Sequence, residues 1–472
     1  MQSTQHQIAR TKIVGTLGPA TSSREAIRGL VDAGLDVARL NFSHGTREQH
    51  EETVRLVRQV AEEVGRPLAI LGDLQGPRIR IGNLMEDRAI SIGELVRLVW
   101  EPEARGEDVP VTYEHLAADV KEGDRILIND GLLELVVLEV SDRRVYARVL
   151  HGGELSSHKG MNLPGVDVSA SSLTEKDRLD IEFAVRVGID YLALSFVRRA
   201  SDIEELRELI PREMLVVAKI EKDIALENIE EIVRSSDAVM VARGDLGVEL
   251  PFEQVPLAQK RIIAVANRLA RPVITATQML ESMITHPRPT RAEASDVANA
   301  ILDGTDAVML SAETAAGAFP RLAVAAMRRI ILEVEDRPPH SRLEQRRPSG
   351  VVASTGETIA VAVQVAATMM DAPAVVPFTK SGFSARVVAS RRPAVPIVAL
   401  TDQARVYRQL ALVWGVIPVL VPHCDHYEEM WKLARDAVVR LGIASPGDRV
   451  IVTAGVPFDV PGTTNLMKFE TV

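Results

Sequence analysis

Six clusters of charged and hydroxyl-bearing residues each follow directly on a short run of Val, Ile, Leu and Ala. They are Arg39-Leu40-Asn41-Phe42-Ser43-His44-Gly45, Asp73-Leu74-Gln75-Gly76-Pro77-Arg78-Ile79-Arg80, Lys219-Ile220-Glu221, Arg243-Gly244-Asp245, Thr275-Ala276-Thr277-Gln278 and Ser311-Ala312-Glu313-Thr314. If the apolar runs are strands of one parallel sheet, all six clusters converge on one end of it, the pattern expected of a catalytic mouth. Glu221 and Asp245 then sit on neighbouring strand ends. Two carboxylates completed by substrate oxygens and water suit Mg²⁺, which keeps octahedral oxygen ligation and takes few protein ligands. Lys219, two residues before Glu221, faces the same side of its strand, where an ammonium can stabilise an enolate oxygen and a moving phosphoryl group. Arg39 and Arg80 offer planar forks for phosphate oxygens. Phosphoryl transfer asks for little more, because positioning and charge neutralisation do most of the catalysis.

Singly, each cluster has an ordinary explanation. Lys-x-Glu at a strand end is usually a surface ion pair, and Arg-Gly-Asp is usually a turn. Arg39 or Arg80 alone reads as a solvated face. Asn41 and Ser43 can cap a loop or helix, and Thr277 and Glu313 can satisfy buried backbone groups. Six strands ending in complementary groups is a different matter, and the joint pattern points to one site.

The elements that must position these groups are legible as repetition. Apolar runs recur at Thr11–Gly15, Val37–Leu40, Leu68–Leu71, Tyr191–Leu194, Leu215–Ala218, Ala238–Ala242, Pro272–Ala276 and Ala307–Leu310, with helical patterns such as Ser23–Ala33 and Arg47–Val64 between most of them. Near-continuous apolar strands alternating with helices predict a parallel sheet covered on both faces. Eight such units fit a (β/α)₈ TIM barrel, and neither a dinucleotide glycine fingerprint nor a P-loop is present. About a hundred residues of different character separate the third run from the helix near Thr174. Short strands with Gly, Asp and Asn turns, as in Ile126–Gly131 and Val145–Gly152, predict an inserted small β-barrel domain. An insertion after a strand lies over the catalytic end, where a hinged cap can exclude water. Arg337–Gly350, rich in Pro, Arg and Ser, reads as a linker. Beyond it, helical patterns at Glu357–Met370 and Tyr427–Leu441 alternate with strands at Ala374–Phe378, Pro396–Leu400, Ile417–Val421 and Arg449–Thr453, predicting a C-terminal α/β domain. The expected boundaries are 1–76 and 167–340 for the barrel, 77–166 for the cap and 350–472 for the last domain.

Composition narrows the function classes. The 472 residues are 46% hydrophobic, 25% charged and only 4% aromatic, so the cores are aliphatic and long disorder is not expected. A formal net charge of −10 argues against nucleic-acid or anionic-membrane binding. Cys424 is the single cysteine, which excludes an internal disulfide and a multi-thiolate zinc site. The segment Met1–Arg10 is polar and lacks the apolar core of a signal peptide, and no apolar run is long enough to span a bilayer. A cytoplasmic location is expected.

The motifs resemble those of the pyruvate kinase family. Matching segments are Thr11-Lys12-Ile13-Val14-Gly15-Thr16-Leu17-Gly18-Pro19-Ala20-Thr21, Arg39–Gly45, Gly76–Arg80, Lys159-Gly160-Met161-Asn162-Leu163-Pro164-Gly165, Ala218–Glu221, Met240–Gly247, Ala276–Leu280 and Met309–Thr314. Ile451-Val452-Thr453-Ala454-Gly455 and Gly462-Thr463-Thr464-Asn465 carry the match to the C-terminus, so it covers nearly the whole chain in order. The resemblance implies transfer of the phosphoryl group of phosphoenolpyruvate to ADP, giving ATP and pyruvate, with Mg²⁺ on Glu221 and Asp245. It implies that Arg39 holds the phosphoryl group, Lys219 stabilises the transition state, and Gly244 and Thr277 contact the substrate carboxylate. Asn41, His44, Arg80 and Lys159 would face the nucleotide, Lys159 from the cap edge. Thr277, Glu313 and water would take part in protonating enolpyruvate. A homotetramer is the family expectation.

One position departs from the pattern. The family's K⁺ site matches Asn41, Ser43, Asp73 and the carbonyl of Leu74. Potassium-requiring members have Glu at the position of Arg78, and potassium-independent members have Lys. Arg78 is therefore expected to supply a fixed charge in place of K⁺. In the last domain, Thr379, Lys380, Ser381, Gly382 and Ser384 follow a strand and precede a helix, and in relatives this segment binds a phosphorylated allosteric effector. Two rival readings share the carboxylates: a Mg²⁺-dependent lyase or aldolase barrel, which has no use for a nucleotide-closing cap bearing Lys159, and an inactive paralogue, for which the presence of Arg39, Lys219, Glu221 and Asp245 offers no cause.

Overall fold

A computed structural model describes residues 8–336, 353–424, 426–456 and 464–472. Eight parallel strands, Lys12–Thr16, Val37–Asn41, Ala69–Asp73, Tyr191–Leu194, Leu215–Ile220, Ala238–Ala242, Val273–Ala276 and Ala307–Leu310, pair in chain order and close on themselves, the first beside the eighth. The TIM barrel expected from the apolar runs is what forms. Alternate residues divide between two cores. Val14, Val37, Leu71, Val217, Met240 and Ile274 fill the barrel, and Ile13, Ala38, Ile70, Val216, Val239 and Val273 pack beneath the surrounding helices. The helices start and stop where the sequence dictates. Thr46 and Gln49 form a capping box before Arg47–Val64, and Gly65, in the left-handed region at φ 64°, ends that helix.

The inserted region leaves the barrel after the third strand. Its six-stranded mixed sheet runs Met161–Asn162, Arg125–Ile128, Leu133–Ser141, Arg144–His151, Leu95–Trp100, Val109–Val111. Arg80 and Ile81 bridge the two edges, pairing with Gly160 and Val111. The sheet is thereby curled around a separate core that includes Val96, Leu98, Ile126, Leu135 and Val145.

The C-terminal sheet has five strands in the order Val416–Leu420, Ile397–Thr401, Val375–Pro377, Arg449–Ala454, Leu466–Thr471. The last strand is antiparallel and was not anticipated from sequence. It lies at an edge, half exposed, with Lys468 and Glu470 among its residues, so no apolar run marks it. This domain plugs the barrel's N-terminal end. Ala411 and Leu412 join the interior cluster, the Tyr191 hydroxyl donates to the Gln409 carbonyl at 2.7 Å, and Arg392 reaches both oxygens of Asp306 at 3.0 and 3.1 Å. The predicted linker Arg337–Gly350 lies outside the described residues, as do Gly462 and Thr463.

Candidate active site

At the C-terminal mouth of the barrel, seven of the eight strand ends line one cavity of about 90 Å³. The second contributes Arg39, Asn41 and Ser43, and the third is followed by Leu74 and Arg78. The fourth gives Ser195 and Phe196, the fifth Lys219 and Glu221, and the sixth is followed by Asp245. The seventh and eighth are followed by Thr277 and Ser311. Arg243-Gly244-Asp245 is more than a turn. It forms the first turn of a helix, Arg243–Glu249, that begins as its strand ends.

Lys219 is the hub. Its ammonium lies 2.9 Å from Glu221 Oε1 and 3.2 Å from Asp73 Oδ1, and it donates to Ser195 Oγ at 2.7 Å. Asp73, buried under the cavity floor, also takes Nε of Arg39 at 2.7 Å and its Nη2 at 2.6 Å on Oδ2. Arg39 Nη1 donates to Thr16 Oγ1 at 2.9 Å. Burial opposes the charge on Lys219, but Asp73 and Glu221 outweigh it and its pKa rises, so the ammonium persists. Burial likewise opposes ionisation of Asp73, but Lys219 and Arg39 outweigh it and its pKa falls. Glu221 goes the other way. Burial, with Asp245 adding to it, pushes its carboxyl up despite Lys219 and a 2.7 Å hydrogen bond from the Phe196 N–H. A buried carboxylate facing a second one is short of positive charge, which is the deficit a divalent cation fills. Among the described residues no group of three or more Asp, Glu, His or Cys could hold a metal alone. A two-carboxylate site needing substrate oxygens and water therefore fits these residues.

The seventh strand end is held in an unusual conformation. Thr277 and Gln278 adopt φ of 70° and 53°, costly for a β-branched residue by roughly 1–3 kcal/mol. Thr277 Oγ1 accepts from the Gly244 N–H at 2.8 Å and donates to the Ala276 carbonyl at 2.7 Å, while Arg243 donates to the Thr277 carbonyl at 2.6 Å and to Asp296 at 2.8 Å. Thr277 is thus locked beside Gly244.

Other predicted residues lie further out. Glu313 is buried behind the wall, its oxygens accepting from the Leu280 N–H at 3.1 Å and the Ser311 N–H at 2.7 Å. Asn41 lines the cavity, but its Oδ1 accepts from the Ser43 N–H at 3.1 Å. His44 is exposed, and Arg80 and Lys159 sit where the cap joins the barrel, Arg80 donating to the His158 carbonyl at 2.7 Å. None of these three lines the cavity. Of the four groups expected at the K⁺ position, the Leu74 carbonyl accepts from Ser195 Oγ at 2.7 Å, and Asp73 Oδ1 is buried with no aligned hydrogen bond despite the nearby ammonium. The exposed Arg78 lines the same cavity as Asn41, Ser43 and Leu74.

Ser195, Phe196 and Arg243 were missed as site residues. Ser195-Phe196 follows an apolar run as the six clusters do, and that position was a usable signal. The φ of 56° at Phe196, which aims its N–H at Glu221, was not readable. A further contact ties cap to barrel. Asn162 Nδ2 donates to Glu249 Oε1 at 3.3 Å, and the Lys222 ammonium is 3.0 Å from the same oxygen. Glu249 ends the helix that carries Asp245 in its first turn.

A closed parallel barrel with an ammonium, guanidinium groups and paired carboxylates around one mouth, beneath an inserted cap, defines a TIM-barrel enzyme equipped for anionic substrates. Residues 8–324 match the family model "Pyruvate kinase, barrel domain" and residues 357–469 match "Pyruvate kinase, alpha/beta domain". The chain is 48% identical to the pyruvate kinase of Geobacillus stearothermophilus, across 98% of this chain and 80% of that protein, and 46% identical to that of Agrobacterium vitis, across 97% and 98%. A solved pyruvate kinase from Cryptosporidium parvum superposes with a TM-score of 0.92 at 36% identity, covering 98% of this chain and 96% of that one. The chain belongs to the pyruvate kinase family. It is a phosphotransferase of glycolysis that transfers the phosphoryl group of phosphoenolpyruvate to ADP, yielding pyruvate and ATP, and its family uses a divalent metal. Among the described residues no helix is long and apolar enough to cross a membrane.

Proposed function

We propose that the cavity around Lys219 is where this reaction occurs, with the roles divided as follows. Mg²⁺ would be held by Glu221 and Asp245, and it supplies charge neutralisation at the phosphoryl group and the enolate oxygen. Arg39, oriented by Asp73 and Thr16, binds the phosphoryl oxygens. Lys219 stabilises the negative charge that develops on the enolate oxygen as its bond to phosphorus breaks and the terminal oxygen of ADP attacks in line. The Gly244–Thr277 pair receives the substrate carboxylate. Enolpyruvate then takes a proton on its methylene carbon by way of Thr277 and water, with Glu313 fixing the backbone behind them. Asn41, His44, Arg80 and Lys159 hold the nucleotide as the cap closes and excludes water. The observation that carries this reading is the placement of Lys219 between Asp73 and Glu221, at 3.2 and 2.9 Å. The test is a Mg²⁺ titration of ATP formation. Glu221→Gln and Asp245→Asn should each raise the half-saturating Mg²⁺ concentration by about tenfold or more, and unchanged titrations in both would refute the metal assignment.

Arg78 takes the place of K⁺ beside Asn41, Ser43, Asp73 and the Leu74 carbonyl, so turnover does not require a monovalent cation. The turn Thr379, Lys380, Ser381 and Gly382, with Ser384 in the helix Phe383–Ala389 that follows it, binds a phosphorylated allosteric effector. The enzyme works as a cytoplasmic homotetramer, which light scattering of the purified chain tests.

A further inference from the structure

One carboxylate outside the cavity joins three of the segments that build the site. Glu249 is only 6% exposed, and its Oε1 takes both the Lys222 ammonium at 3.0 Å and the Asn162 amide at 3.3 Å. Lys222 directly follows Glu221 at the end of the fifth barrel strand. Glu249 closes the helix whose first turn carries Asp245, and Asn162 lies in the strand by which the chain returns from the cap. We infer that Glu249 is a positioning residue, which sets the spacing of Glu221 and Asp245 from behind and ties the cap's return strand to that spacing through Asn162. The inference rests on the assignment of the divalent ion to those two carboxylates.

The helix Arg243–Glu249 has seven residues, too few to hold a helix unaided in water, so contacts at its ends fix its direction. At its first residue, Arg243 donates to the Thr277 carbonyl at 2.6 Å and to Asp296 at 2.8 Å. At its last, Glu249 meets Lys222. Asp245 lies between them and has no hydrogen bond or ion pair of its own among the described residues, so its place is that of the helix. Glu221, by contrast, is held directly, by Lys219 at 2.9 Å and by the Phe196 N–H at 2.7 Å. The separation of the two carboxylates therefore depends on where the helix sits against the fifth strand end, and the Lys222–Glu249 ion pair joins those two segments. An ion that demands near-ideal octahedral geometry is sensitive to that separation.

The carboxylate is turned for joining rather than for pairing alone. Facing only Lys222, it could hold the ammonium with both oxygens. Instead Oε1 serves two segments, and Oε2 is buried with no partner among the described residues, a costly arrangement for a purely structural pair. The cap side is equally specific. Asn162 pairs with Leu127 in the cap sheet and lies three residues after Lys159. Beyond it the chain passes the segment that follows Glu221, close enough that a Cβ on Gly165 would come 3.8 Å from Asp223 Oδ2.

Binding of Mn²⁺ alone to the full-length enzyme, read from the loss of the free-ion paramagnetic resonance signal, needs neither substrate nor turnover. Glu249→Gln keeps the side-chain shape and an acceptor for Asn162 but removes the charge facing Lys222. It and Lys222→Gln should each weaken Mn²⁺ binding by about tenfold, and should one of them fail to fold, the other decides. Arg408→Gln, which loosens the far end of the barrel at a 2.9 Å contact with Asp190, should leave Mn²⁺ binding within about twofold. Asn162→Ala should likewise spare Mn²⁺ binding but raise the KM for ADP by about three- to tenfold at unchanged kcat. On a Glu249→Ala background it should add nothing further. Parent-like Mn²⁺ binding in Glu249→Gln and Lys222→Gln, with weak binding in Glu221→Gln and Asp245→Asn, would refute the positioning role and leave the metal assignment standing. Parent-like binding in all four would overturn the metal assignment itself. An equal loss in Arg408→Gln would reduce the effect to general loosening, and losses from Asn162→Ala and Glu249→Ala that simply add would overturn the tie to the cap.

Discussion

Replacing Lys219 with Met keeps the length of the side chain and removes its charge. Each of its contacts, 2.9 Å to Glu221 and 3.2 Å to Asp73, is worth on the order of 5 kcal/mol in Coulomb energy at an effective dielectric constant near 20, much of it offset by desolvation of the buried ammonium. Neither carboxylate is abandoned. Asp73 keeps two Arg39 nitrogens on its Oδ2, and Glu221 keeps the Phe196 N–H and, with a carboxyl already pushed up, can take a proton. The stability loss should therefore stay below the ~3–5 kcal/mol of an orphaned buried charge, at about 1–3 kcal/mol. Catalysis has no such substitute. Loss of one preorganised group facing developing charge lowers kcat by about 10²–10³ at an oxyanion hole, and a full positive charge in a buried site should matter at least as much. Lys219→Met should then lose at least about 10³ in kcat with a folded, cooperative urea transition. Pyruvate formation at saturating substrate and Mg²⁺ gives the first quantity, and circular dichroism against urea gives the second. A folded variant retaining more than about a tenth of wild-type kcat would refute the role given to Lys219.

Arg78→Glu should lose about 10²-fold in turnover without K⁺ and regain most of it when K⁺ is added, whereas the parent should change by less than about twofold; strong K⁺ stimulation of the parent would defeat the substitution argument. Asp402, paired at 2.5 Å with Lys380 in the C-terminal domain, has a folded-state pKa depressed to about 2, so its pairing stabilises the domain above the unfolded-state pKa near 4 and that contribution disappears as pH falls through about 2. Asp402→Asn should accordingly destabilise by about 1–2 kcal/mol at neutral pH, with the deficit shrinking in urea melts below about pH 4; a deficit that grows on acidification would contradict this. Glu249→Ala leaves the nearly buried Lys222 without its 3.0 Å partner and should lower stability by about 3 kcal/mol, and an unchanged urea midpoint would show that the pair contributes nothing.

The barrel was legible because its strands are buried on both faces and so read as unbroken apolar runs. Tyr191–Leu194, Ala238–Ala242 and Ala307–Leu310 have the same bounds in the structure as in the sequence. The half-exposed edge strand Leu466–Thr471 left no such trace. In the site, residue types carried the signal and backbone geometry did not. Lys219, Glu221 and Asp245 could be singled out from their place after strands. The left-handed residues Phe196 and Thr277 are hydrogen-bonded to Glu221 and Gly244, which follow neighbouring strands but lie 25 and 33 residues away in sequence. Arg243 was visible, but its hold on the Thr277 carbonyl was not.

Asp73 shows most clearly why sequence stops short. Taken as a strand-end carboxylate, it looks like one more cation ligand. In the closed barrel it lies below both Lys219 and Arg39 and joins them to one buried negative charge. With Asp73 beneath the floor, the two lining carboxylates Glu221 and Asp245 make three against the lining cations Lys219, Arg39 and Arg78, and the cavity region is close to neutral. A neutral, partly desolvated cavity has little attraction for a polyanionic phosphate ester. A divalent ion held by Glu221 and Asp245, as proposed, would tip that balance positive. On that proposal the metal would be a condition of substrate binding as well as of chemistry, and the neutrality behind it would come from Asp73, which is buried beneath the cavity and does not line it.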